Sequence, residues 1–355
     1  MDQRVRRFLL RNGATPQEIE EAEAGGYLTM LAFDRAVLPG ARKYTMRELA
    51  AQAQIDLTTA RTVWRAIGFP DLPDDRAAFT DADVEAMHGF VRRFKEPWFY
   101  DWNLERALPQ ARVLSSALAR IADAESDDFA RSVDEARRAG LTDEDLALLV
   151  TERLDYDEIA QLLDHTHRLQ LRAAIWRKLV GTEPGAPGTV AATVGFVDLV
   201  GYTALAEGLD LDELGALVEH FATLAHDIVV ESGGRIVKTI GDEVMFITDE
   251  PAPAARIALQ LARASNADAV LPDARAGLAS GAVLSREGDY YGQVVNLASR
   301  LTELAYPGTV LVSSEVAAAL GDQPDLQLRR LGRRKVRGIG RIELYRLDAS
   351  PVPDD

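Results

Sequence analysis

The chain of 355 residues contains no cysteine. That excludes disulfides and thiolate metal sites, and it fits a cytoplasmic protein. Long apolar runs are also missing. No window approaches about 18 consecutive apolar residues, so no transmembrane helix is expected. The opening MDQRVRRFLLRNG has only FLL as an apolar core, which is too short for a signal peptide. Positive charge is in deficit, with 40 Lys and Arg against 56 Asp and Glu and a formal net charge of −16. This disfavours nonspecific nucleic-acid binding by the whole chain. A site for an anionic substrate must then be built from local cations. There is no internal repeat, and no low-complexity tail beyond the closing SPVPDD. What is present is globular: 47% apolar and 27% charged residues. The length leaves room for two or three domains, each with a real core.

Residues 1–180 read as helical throughout. Thr15-Pro16-Gln17-Glu18 is a capping box with proline at the first helical position. Thr45 with Glu48, Thr80 with Asp83 and Thr142 with Asp145 repeat the polar-x-x-acid signal. The stretch from Leu154 to Gly181 reads as one long helix. GTEPGAPGT, residues 181–189, is rich in Gly and Pro and reads as a linker. Beyond it the pattern alternates. TVGFVDLV is a strand, and LDELGALVEHFATLAHDIVVESGG a helix ending at a Gly pair. RIVKTIGDEVMFIT is a hairpin turning near Gly241-Asp242. APAARIALQLARASNA is a helix, ARAGLASGAVLSREGDYYG strand-like, QVVNLASRLTELA a helix, and GTVLVSSEV a further strand. This β-α-β-β-α-β order predicts a ferredoxin-like α+β sandwich behind an all-α domain. The expected boundaries are 1–153 for the helical domain, 154–189 for the long helix and linker, and 190–350 for the sandwich.

Two acids sit at chain reversals. Asp198 ends the apolar run TVGFV just before Gly201, Tyr202 and Thr203. Asp242 lies in the hairpin turn. Each alone also fits an ordinary turn residue. In a ferredoxin-like sheet the first strand and the central hairpin are neighbours, so the two carboxylates can converge. Mg²⁺ or Mn²⁺ would resolve their repulsion. The N–H groups of Gly201, Tyr202 and Thr203 would then offer an anion cradle at a helix start.

FVDLVGYT, VKTIGDEVMF, DYYGQVVNLASRL and VRGIG, in this order, resemble the class III nucleotidyl cyclase catalytic domain. The resemblance covers about residues 190–347. It implies a homodimeric core with sites at the dimer interface, two metal ions per site, and formation of a 3′,5′-cyclic nucleotide with release of pyrophosphate. By this resemblance Asp198 and Asp242 are the metal aspartates, and the carbonyl of Leu199 adds a ligand. Asn296 positions the ribose, and Arg300 stabilises charge on the α-phosphate. Arg337 grips the triphosphate, with Lys335 as its rival. Lys238 and Asp289 match the base-reading pair. Lys238 can only donate and Asp289, ionised, can only accept, which fits adenine and opposes guanine. ATP is therefore the expected substrate. Tyr202, and Glu243 after the metal aspartate, are small departures from the family pattern. Glu243 either adds charge near the metals or points away.

The first half also carries a resemblance. YTMRELAAQAQIDLTTARTVWRAIGFPDL is similar to the helix-turn-helix of MerR-type regulators, with Arg61 and Arg65 on the second helix. Residues 1–100 hold 14 Lys and Arg against 15 Asp and Glu, which is poor for phosphate contact. The whole layout is similar to actinobacterial cyclases whose helical N-terminal domain inhibits the catalytic core until pH or lipid relieves it. His165 and His167 are then the candidate pH sensors. The EPWFYDW cluster, residues 96–102, is either core or the lining of a lipid or small-molecule site. Two alternatives stay open at this level: a guanylate cyclase, and a silent nucleotide-binding regulator.

Overall fold

The structure is a computed structural model that describes residues 1–95, 103–180, 188–321 and 323–350. The chain divides into two units, residues 1–181 and 182–355.

Four helix starts in the first unit follow from reciprocal capping. The Glu18 N–H donates to Thr15 Oγ1 at 3.2 Å, and the Thr15 N–H donates to Glu18 Oε2 at 2.7 Å. Thr45 with Glu48, Thr80 with Asp83 and Thr142 with Asp145 close in the same way. Among the described residues the helices of this unit are α1 (Gln3–Arg11), α2 (Pro16–Gly25), α3 (Leu28–Val37), α4 (Met46–Gln52), α5 (Leu57–Ala66), α6 (Asp81–Lys95), α7 (Leu104–Arg138), α8 (Asp143–Arg153) and α9 (Tyr156–Val180), and the four reciprocal caps start α2, α4, α6 and α8. Helix α3 lacks a side-chain cap of its own. Asp143, at the start of α8, supplies one by accepting from the Leu28 and Thr29 N–H groups at 2.6 and 3.3 Å. That bond docks α8 on α3, and Ala147 and Val150 then bury against Val5, Leu9 and Ile19. A second core packs α4 on α5 around Met46, Leu49, Val63 and Phe79.

The second unit runs β1 (Thr189–Leu199), α10 (Tyr202–Ala206), α11 (Leu211–Glu231), β2 (Arg235–Ile240), β3 (Glu243–Thr248), α12 (Pro251–Ala267), β4 (Ala274–Arg286), β5 (Asp289–Tyr291), α13 (Gln293–Leu304), β6 (Val310–Val312), α14 (Ser314–Leu320), β7 (Leu326–Val336) and β8 (Gly340–Ala349). The sheet order is β2-β3-β1-β4-β6-β8-β7, with β5 on β4. The first four strands thus stand 2-3-1-4, the ferredoxin-like order, and the fold is α+β. One boundary differs from the sequence reading. The SSEV stretch starts α14, because Ser313 Oγ accepts from the Val316 N–H at 3.4 Å and caps a helix there.

Alternation along β1 feeds two cores. Val197 and Leu199 pack with Phe246, Phe221 and Ile257 on one face of the sheet. Val194 and Phe196 pack with Met245, Ile247 and Ala298 on the other. Phe246 is fully buried, so Phe246→Ala would cost about 3–5 kcal/mol. Helix α13 lies unusually close to the sheet. A Cβ on Gly277 would stand 2.3 Å from the Thr302 nitrogen and 2.4 Å from the Ala298 oxygen. Only glycine permits that approach. Thr302 Oγ1 then donates to the Phe196 carbonyl at 3.2 Å and ties α13 to β1.

Candidate active site

Strand register builds the first cluster. Asp198 stands opposite Glu243 on β3 and opposite Arg275 on β4. Residues directly opposite in an antiparallel pair share a face. Arg275 donates to Asp198 Oδ2 from Nε at 2.8 Å and from Nη2 at 2.6 Å. It also donates to the Glu303 carbonyl at 3.3 Å, which links the cluster to α13. Asp242 follows Gly241, whose φ of 61° puts a glycine where the hairpin turns. Its carbonyl accepts from the Leu199 N–H at 3.3 Å. The two aspartates therefore meet, as the expected topology requires.

The electrostatics of this cluster are those of surplus anion. Burial raises Asp242 above the usual carboxylate range, the nearby Asp198 raises it further, and Arg275 opposes the shift. Glu243 is pushed up to about 7 by burial first, then by Asp198, Asp242 and Glu303. Glu243 stands directly opposite Asp198 in the β1–β3 ladder, so its side chain leaves on the same face as Asp198. The donors are all oxygen, which suits Mg²⁺ or Mn²⁺. Among the described residues no group of three or more acidic, His or Cys side chains could hold one ion. Asp198 and Asp242, with the Leu199 carbonyl, fit cations that complete their shells from water and phosphate.

A cavity of about 230 Å³ forms the second cluster. Asn296, Ser299 and Arg300 of α13 line it together with Arg337, Gly338 and Ile339 of the β7–β8 turn. Asn296 and Arg300 are one helical turn apart and share a face. Arg300 is ion-paired with Glu303. Lys335 is not part of this lining; it lies in β7 opposite Arg341.

The third cluster is an ion pair. Lys238 Nζ donates to Asp289 Oδ2 at 2.6 Å, from β2 to β5. Gly201, in the left-handed region at φ 78°, precedes the five-residue α10, which no side chain caps. Tyr202 packs on the neighbouring core. In the first unit His165 and His167 are exposed on α9. The aromatic cluster at 96–102 and most of the linker lie outside the described residues. The two arginines of the helix-turn-helix are engaged internally: Arg61 with Asp74, and Arg65 with Asp71 at 3.7 Å. An apolar cavity of about 280 Å³ opens among α3, α7 and α8, lined by Phe129, Val133, Leu146, Leu149, Val150 and Leu154.

Arg275 and Glu303 were absent from the sequence reading. A lone cation in the small-residue strand ARAGLASG was the available signal for Arg275. Its partner is visible only from register. No described helix is long and apolar enough to cross a membrane.

Residues 186–349 match the family described as the Adenylate and Guanylate cyclase catalytic domain. Residues 3–175 match the Adenylate cyclase regulatory domain. An adenylate cyclase of Glutamicibacter nicotianae is 35% identical over 336 residues, covering 90% of this chain and 82% of that protein. An adenylate cyclase of Streptomyces coelicolor is 33% identical, with 92% of each chain covered. A pH-sensitive adenylate cyclase of Mycobacterium tuberculosis is 33% identical, covering 96% of this chain and 86% of that protein. With both halves matched in order and most of each relative covered, the chain belongs to the adenylate cyclases that set a regulatory domain ahead of a class III catalytic domain.

Proposed function

We propose that the chain converts ATP to 3′,5′-cyclic AMP and pyrophosphate at sites shared between two copies of itself. One observation carries this reading. The acids Asp198 and Asp242 gather around Arg275, yet neither lines the cavity formed by Asn296, Arg300 and Arg337. A nucleoside triphosphate needs both sets. A second copy on a twofold axis would bring one chain's acids to the other's cavity and create two equivalent sites.

Two Mg²⁺ or Mn²⁺ ions held by Asp198, Asp242 and the Leu199 carbonyl would acidify the ribose 3′-hydroxyl and neutralise the phosphates. The protein's own groups do the rest. Asn296 orients the ribose. The 3′-oxygen attacks the α-phosphorus in line, the bond to the bridging oxygen breaks, and pyrophosphate leaves. Arg300 donates to the α-phosphate oxygens, where negative charge grows in the transition state. Arg337 holds the phosphate tail with the N–H groups of Gly201, Tyr202 and Thr203, and Arg275 offers a further guanidinium. Solvent or an aspartate takes the ribose proton. Lys238 donates to adenine N1, and Asp289 accepts from the adenine amino group.

Regulation belongs to the helical unit in this reading. It restrains catalysis, and pH or a lipid-like ligand relieves the restraint. His165 and His167 are the proposed pH sensors, and the apolar cavity beside Phe129 is the place for an acyl chain. The pH-sensitive relative and the exposure of both histidines support this.

The test is direct. The purified chain is incubated with ATP or GTP and either metal at about pH 6 and about pH 8, bracketing histidine titration. Cyclic AMP from ATP is expected, and no cyclic product from a verified dimer would sink the reading. Mixing Asn296→Ala with Asp198→Ala should restore one intact site per heterodimer. A confirmed heterodimer without recovery would rule out shared sites.

A further inference from the structure

Strand β2 carries Arg235 and Lys238, three residues apart. In a regular strand that spacing sends two side chains to opposite faces. Here a bulge between Ile236 and Lys238 absorbs one residue. Arg235 stands opposite Ile247 and Lys238 opposite Met245, and both partners belong to the core on the α13 face. The two cations therefore project to the same side, and both reach β5.

They reach adjacent residues. Lys238 Nζ bonds Asp289 Oδ2 at 2.6 Å. The Arg235 guanidinium donates to the Tyr290 hydroxyl, and its Cζ lies 5.4 Å from the Tyr290 ring centroid. The Tyr290 N–H in turn donates to Asp289 Oδ1 at 2.8 Å. Both Asp289 oxygens are thus engaged, one by Lys238 and one by the residue that Arg235 holds. β5 has only three residues, and its pairing to β4 passes through a turn with Glu287 at φ 55° and Gly288 at φ 83°. So short a strand needs an anchor beyond its own ladder.

We propose that Arg235 and Tyr290 form a positioning clasp that fixes Asp289 as an acceptor and thereby sets discrimination between ATP and GTP. This rests on the reading of Lys238 and Asp289 as base contacts. The chemistry is one of fixed polarity. Adenine must part the Lys238–Asp289 pair and replace it with one donor and one acceptor. An Asp289 held by the Tyr290 amide keeps its free oxygen aimed at the amino group. A released Asp289 can turn to accept from guanine N1–H, and the penalty against GTP falls.

Kinetics of the full-length dimer with ATP and GTP test this, beside melting curves for every variant. Arg235→Leu should raise the KM for ATP roughly tenfold, the scale of a lost charge-assisted hydrogen bond, with kcat within about twofold. The ATP:GTP ratio of kcat/KM should fall by about the same factor. Tyr290→Phe should move both quantities the same way by about threefold, since the ring still faces the cation. The double variant should be no worse than Arg235→Leu, because the two act as one unit. Arg235→Lys should recover part of the loss. An unchanged purine ratio in Arg235→Leu, where Lys238→Ala does change it, overturns the clasp and leaves the base contacts standing. Equal losses for both nucleotides with a lowered melting point also overturn it, as the mark of a merely structural role. If Lys238→Ala leaves the ratio unchanged as well, the base-contact reading fails and the clasp with it.

Discussion

The catalytic unit holds two ion pairs of the same length and opposite character. Arg275 meets Asp198 at 2.6 Å, and Lys238 meets Asp289 at 2.6 Å. Both bridge strands and both are mostly shielded. The first sits among further acids, and the raised Asp242 and Glu243 record an anion surplus that one guanidinium does not cancel. The second is balanced, and Arg235 with Tyr290 braces its frame. An ion pair by itself says little about function. The charge left over around it says more: surplus anion invites a cation, whereas a balanced pair must be opened by a ligand that matches both halves.

Removing an acid from the surplus cluster should break this contrast most severely. Asp242→Asn is expected to lower cyclase turnover by about three decades or more, because the proposed metal pair would lose a ligand. Its melting temperature should hold or rise, since a repelling charge is gone. Retained turnover would end the two-metal reading. Reversing the balanced pair ranks next. Lys238→Glu with Asp289→Ser should cut activity on ATP by about two decades and raise it on GTP, measured as cyclic AMP and cyclic GMP. A loss on both nucleotides without gain would place these residues outside base recognition.

The smallest effect concerns stability without metal. Glu243 titrates at about 7 in the folded chain against an ordinary value of 4.5. Between those values the folded state holds a proton that the unfolded state has released. This group's contribution to stability is therefore present in acid and lost as pH rises from about 4.5 to about 7. Thermal melts in a chelator should show the catalytic unit less stable at about pH 8 than at about pH 5 through this group. Glu243→Gln should flatten that slope and raise the melting temperature at about pH 8 by about 2 °C. An unaltered slope would show that Glu243 lies outside the surplus.

Much of the molecule was legible in the residues. The capping pairs at Thr15, Thr45, Thr80 and Thr142 set helix starts by bonds within four residues, so no tertiary knowledge was needed. The alternation in TVGFVDLV, the turn at Gly241-Asp242 and the amphipathic QVVNLASRLTEL were readable for the same reason. The cyclase-like blocks singled out Asp198, Asp242, Asn296 and Arg300, and the fold places the first two in one cluster and the last two in one cavity. Arg275, Glu303 and the orientation of Glu243 were not readable, because each depends on which residue lies across a ladder or on a packed helix. The Arg235–Tyr290 contact was hidden further. It needs a bulge that reverses the face a period-two reading assigns.

By itself, then, the sequence determined the main order of elements, the helical first half, the two acids at chain reversals and the donor-acceptor polarity of Lys238 and Asp289. These are properties of local spacing and of side-chain chemistry. Only the tertiary structure decided which charges face one another. Register placed Arg275 and Glu243 beside Asp198, Gly277 let α13 approach the sheet, and a single bulge turned Arg235 onto the side of Lys238. Facing is a long-range relation between strands. A chain read one residue at a time carries no ladder, and one residue of slip exchanges the two faces of a strand.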